Sequence, residues 1–124
     1  LRHSMSTRPL TSGQRLYSEG EPFTHAIFPH SGVISLLKTE ANGISAEKTS
    51  IGNEGFVGAA LLFGGGAALS TSIVSVAGYA SWLKIDALNE ITEREPTVMA
   101  AVNRYARALI FQLMESTACV NIHN

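Results

Sequence analysis

The chain has 124 residues, nine Lys or Arg against ten Asp or Glu, and a formal net charge of −1; 45% of it is hydrophobic and 15% charged. This balance suits one globular domain with its own core and excludes a disordered tail, and the lack of any dense basic stretch excludes a segment that grips nucleic acid by itself. Cys119 is the only cysteine, so neither an internal disulfide nor a four-thiolate metal site is available, and a reducing cytoplasm is the expected compartment.

In chain order, residues 8–85 read as short strands broken by turns. Ser12-Gly13 and Glu19-Gly20-Glu21-Pro22 are turn signals. Ala26 to Phe28 and Val33 to Leu37 are β-prone, and Pro29-His30-Ser31-Gly32 between them reads as a hairpin turn. Asn42-Gly43 marks the next hairpin, before an alternating stretch from Ile44 to Thr49. The stretch TSIVSVAGYASWLKI, Thr71 to Ile85, reads as two strands joined near Ala77-Gly78. Closely spaced short strands of this kind predict an antiparallel barrel or jelly roll.

From residue 86 the period changes, and 86–124 reads as helical. Asp86 is the expected N-cap of a short helix with Leu88 and Ile91 as its apolar positions. Pro96 suits the first turn of a second, long helix, since its missing N–H costs nothing there. Val98, Val102, Tyr105, Leu109, Leu113 and Val120 form one apolar stripe of that helix, and Met99, Ala106, Ile110 and Met114 form another beside it. Two stripes suit two partners: the barrel on one side and a second copy of the helix on the other. A single wide face buried within one chain is the alternative.

Between the alternating stretch that ends at Thr49 and the strands that begin at Thr71 lies GNEGFVGAALLFGGGAALSTS, residues Gly52 to Ser72. Its apolar run, Gly55 to Leu69, has 15 residues, five of them glycine. A membrane-spanning helix needs about 20 apolar residues, so a span is excluded. The Gly64-Gly65-Gly66 triplet lacks the Lys and Ser/Thr that a phosphate-binding loop carries after it.

The stretches LTSGQRLYSEGEP (Leu10–Pro22), IFPHSGVISLL (Ile27–Leu37), GNEGFVGAALLFG (Gly52–Gly64), VAGYASWLKID (Val76–Asp86) and RYARALIFQLMESTACVNIH (Arg104–His123), in that order and spacing, resemble the effector-binding domain of the Crp/Fnr family of bacterial transcription regulators. The resemblance implies a mainly β chain with a C-terminal α segment: a double-stranded β-helix (jelly roll) of cyclic-nucleotide-binding type, then a short helix and a long dimerisation helix. It implies one non-enzymatic effector domain over 1–124, without cofactor or metal, forming a homodimer through the long helix. DNA would be bound only by a winged helix-turn-helix domain beyond residue 124.

Nucleotide-binding members of that family carry a Gly-Glu-Leu cassette with an Arg-Ser or Arg-Thr pair about ten residues later; the glutamate takes the ribose and the arginine the cyclic phosphate. Here Gly58 and Ser70 match, but Ala59 stands at the glutamate and Leu69 at the arginine. No Lys, Arg or His occurs from Thr49 to Leu83. Leu113 and Met114 fall where nucleotide binders offer hydroxyls from the long helix. The cassette is therefore expected not to hold cyclic AMP or GMP. Gly58, Ala59, Ala60, Leu61, Leu69, Ser70 and Thr71 would then line a site for a small neutral or apolar effector, or a collapsed cassette that serves only as scaffold. Val102, Tyr105, Leu109, Leu113 and Val120 are the expected dimer seam.

Other classes are weaker. A cupin-like metalloenzyme wants His-x-His plus further ligands projecting into one barrel, whereas His25 and His30 are five apart and read as exposed residues straddling a turn. Cys119 reads as an inert or a redox-active thiol. A stand-alone ligand-binding or interaction module is the remaining alternative.

Overall fold

Alternation of apolar and polar side chains gives five strands in the computed structural model, which describes residues 5–58 and 66–94 together with Pro96, Thr97, Ala100 and Arg104. They are β1 (Met5–Leu10), β2 (Arg15–Tyr17), β3 (His25–Thr39), β4 (Ser45–Ile51) and β5 (Thr71–Lys84), followed by α1 (Ile85–Arg94). The strands form one antiparallel sheet in the order β1-β5-β3-β4, with β2 also paired to β5. This is the expected mainly β, antiparallel class. Leu10, Ile27, Ile34, Ile51 and Val74 are almost wholly buried at its centre, each worth about 1.5–3 kcal/mol of apolar burial. Phe28, Phe23 and Trp82 pack against this core from its margin.

Three expected turns form: Ser12-Gly13, Glu19-Gly20 and Asn42-Gly43. Two do not. Residues 29–32 do not end a strand but lie within β3, and Ala77-Gly78 lies within β5. The two segments face each other, with Ser31 opposite Tyr79 and Val33 opposite Val76, and the register slips on both sides of Gly32. Here the paired strands carry register irregularities of the β-bulge kind, which bend a strand and sharpen its local right-handed twist. Gly32 adopts φ +87, a region that costs any other residue, and a Cβ added there would run into the carbonyls of Val76 and Ala77.

α1 starts one residue earlier than its expected N-cap. Ile85 is its first residue and donates its N–H to the Thr24 carbonyl at 3.3 Å; Asp86 sits in the first turn, where its charge still favours the positive end of the helix. Ala87 and Leu88 are buried under the sheet, and Glu90 pairs with Arg94 at 2.8 Å one turn on. Pro96, Thr97, Ala100 and Arg104 are helical and exposed. The seam residues Val102, Tyr105, Leu109, Leu113 and Val120, the second stripe and Cys119 lie outside the described residues.

Candidate functional site

The cassette enters and leaves through two pinned ends. At the entry, Val57 and Ile27 exchange backbone hydrogen bonds of 2.8 and 3.0 Å, and Phe56 stacks on Phe28 with ring centroids 5.1 Å apart. Gly58 follows, buried and at φ +117. At the exit, Gly66 to Ala68 is stitched to the Glu19–Pro22 turn: Phe23 N–H donates to Gly66, Gly20 N–H to Ala68, and Ala68 N–H to Glu21. Ala59, Ala60 and Leu61, named in the sequence as pocket lining, lie outside the described residues.

The remaining expected site residues fall at the head of β5. Leu69 is 37% exposed, and Ser70, one residue on, is buried. The Ser70 hydroxyl has no hydrogen-bond partner among the described residues. Thr71 is already engaged, since its Oγ1 accepts the Glu19 N–H at 3.0 Å. The neighbouring Ser72 is fully buried and accepts the Tyr17 N–H at 3.1 Å.

Sequence reasoning missed one residue here. The stretch Thr49 to Leu83 does lack cations, but β3 delivers one from outside it. Alternation along β3 puts Lys38 on the face of Ile34 and Leu36, and its Nζ donates to the Leu69 carbonyl at 3.1 Å. The ammonium thus stands beside Leu69, held by its backbone oxygen. Glu19 lies close by, accepting the Thr39 N–H at 3.2 Å. The second lysine of this edge, Lys48, is spent on an ion pair with Glu40. The only signal in the sequence was Lys38 as the single lysine of β3, and its target was set by strand register.

The histidines also differ from expectation. His25 and His30 lie on one strand, β3, rather than across a turn. His30 contacts the Ser81 hydroxyl through Nε2 and the Tyr79 ring; His25 is half-buried, with Nδ1 2.9 Å from Thr24 Oγ1. Among the described residues no three His, Cys, Asp or Glu side chains gather as metal ligands would, and no helix is long and apolar enough to cross a membrane.

Burial holds the His25 pKa below its usual 6.5, helped by the positive charges of Arg8 and Lys84. The unfolded chain therefore binds this proton more readily, so the contribution is complete above pH 6.5 and declines as pH falls below it towards the folded-state pKa. His25→Gln is expected to flatten that part of the stability–pH curve, read from denaturant midpoints between pH 7.5 and 5; an unchanged slope rules the assignment out.

Comparison with known proteins matches the same region. A family model described as cyclic nucleotide-binding domain matches residues 7–95. Among solved structures, the N-terminal domain of a transcriptional regulator from Streptomyces coelicolor A3(2) is 23% identical, with a TM-score of 0.65 over 93% of this chain and 80% of that one. The c-di-GMP-responsive global regulator CLP from Xanthomonas campestris is 13% identical, with a TM-score of 0.76 over 94% of this chain and 59% of that one. The catabolite activator protein of Thermus thermophilus is 17% identical, with a TM-score of 0.74 over 97% of this chain and 55% of that one. The chain thus spans little more than half the length of the last two. No curated protein sequence matches it.

Proposed function

The chain belongs to the cyclic nucleotide-binding domain family, and from that premise we propose that it is the non-enzymatic sensor and dimerisation domain of a Crp/Fnr-like transcription regulator whose cassette does not take cyclic AMP or GMP. The observation that carries this reading is the exit of the cassette. Leu69 takes the place in sequence that the resemblance gives to an arginine, and Lys38, a cation beside it, is already bound to the Leu69 carbonyl. Ala59 removes the ribose-binding carboxylate as well.

What remains suits a small neutral or apolar effector. In sequence Gly58, Ala59, Ala60, Leu61 and Leu69 are apolar, and Ser70 and Thr71 are the hydroxyl residues beside them, Thr71 Oγ1 already accepting the Glu19 N–H. The regulators among the structural neighbours support the wider setting, in which a DNA-binding domain follows the long helix. Effector uptake would shift the cassette against that helix and change how two copies cross, repositioning the DNA-binding domains through a two-state interface.

The dimer is tested directly. Leu109→Glu would place a charge in the proposed seam of Val102, Tyr105, Leu109, Leu113 and Val120, and an uncompensated charge buried in such a seam costs roughly 3–5 kcal/mol. Sedimentation velocity is expected to show a dimer for the parent chain and a monomer for the variant. An unchanged dimer in the variant would place the seam elsewhere.

A further inference from the structure

At the far end of the sheet, three basic side chains gather round the only tryptophan of the chain. The Arg8 guanidinium on β1 lies over the Trp82 ring, 4.8 Å from its centroid. The His25 ring meets the same indole edge-on at 6.0 Å, and His25 sits directly opposite Lys84 in the β3–β5 register. Arg8 and Lys84 are exposed, whereas His25 and Trp82 are half-buried.

Among the described residues no carboxylate forms an ion pair with this group. The ion pairs among the described residues are Lys48 with Glu40 and Arg94 with Glu90. Asp86, exposed at the start of α1, pairs with none of the three basic groups. Burial first, and then the positive charges of Arg8 and Lys84, hold the His25 pKa below its usual value.

We propose that this face docks an acidic segment of a partner protein, with the carboxylates received by Arg8 and Lys84 beside Trp82. Arg8 is arranged for it. Stacking on Trp82 restrains the guanidinium, and its Nε is engaged by Ser6 Oγ at 3.1 Å, which leaves the terminal nitrogens as a fork for one carboxylate. A nucleic-acid backbone fits worse, because duplex binding draws on a longer run of phosphate contacts than three basic groups supply. The surface is independent of the cassette and of any effector held there.

Because Trp82 is the sole tryptophan, its fluorescence reports on this patch alone. Titration with a hexaglutamate peptide is expected to give a saturable change. The double variant Arg8→Gln, Lys84→Gln should weaken it by roughly tenfold, the loss of two surface ion pairs within their usual worth, whereas Arg94→Gln on α1 should leave it unchanged. No saturable change, or equal affinity in the double variant, would overturn the proposal. Tighter binding of a short DNA duplex through the same two residues would overturn the choice of an acidic protein partner.

Discussion

Replacing Gly78 with valine is expected to cost at least about 3 kcal/mol of stability, the upper range for forcing atoms into a packed interior. A Cβ at this position would stand 2.2 Å from the Ser31 carbonyl oxygen, 2.3 Å from its carbon and 2.6 Å from the Gly32 nitrogen. All three are backbone atoms, so no rotamer change relieves the clash; the bend shared by β3 and β5 has to open. Gly32→Ala is expected to act in the same direction, through its positive φ and a 2.5 Å approach to the Val76 carbonyl. Gly66 is the control: a Cβ there meets nothing within 4 Å, and alanine should change stability by less than about 0.5 kcal/mol. For a chain of this size the Gly78 variant should melt roughly 10 °C lower. If it melts with the parent, the two strands do not cross as closely as described.

The same bend shows what the sequence discloses and what it does not. Pro29, Gly32 and Gly78 announce departures from regular strand, and both sites do depart from it. A local turn signal does not say whether the chain reverses or only kinks. That depends on what lies opposite, and here each kink lies opposite the other. Ser12-Gly13, Glu19-Gly20 and Asn42-Gly43 had no such partner and formed true turns. α1 was legible through Leu88, although Asp86 proved to be inside the first turn because Ile85 is tied to Thr24 across the sheet. At the candidate site, the sequence placed Leu69 and Ser70 just ahead of a strand, and they do precede β5. Lys38 was not, because 31 residues separate it from Leu69 and only the β3–β5 register brings them together. The Arg8–Trp82–His25–Lys84 group was invisible for the same reason, being assembled from three strands.

Lys38 bears directly on cyclic nucleotides, because it is the cation that a bound phosphate would recruit. To do so it would have to leave the Leu69 carbonyl, and a partly solvated ion pair returns only about 0–1 kcal/mol. Amide dipoles at a helix start add about 0.3–2 kcal/mol. Desolvating the phosphate costs several kcal/mol, and micromolar affinity requires about −8 kcal/mol net. With Ala59 offering the ribose nothing, these contributions fall well short. Titration calorimetry of the chain with 3′,5′-cyclic AMP and cyclic GMP tests this most directly: no specific heat of binding is expected below a Kd of about 1 mM, whereas saturable one-site binding in the micromolar range would contradict it.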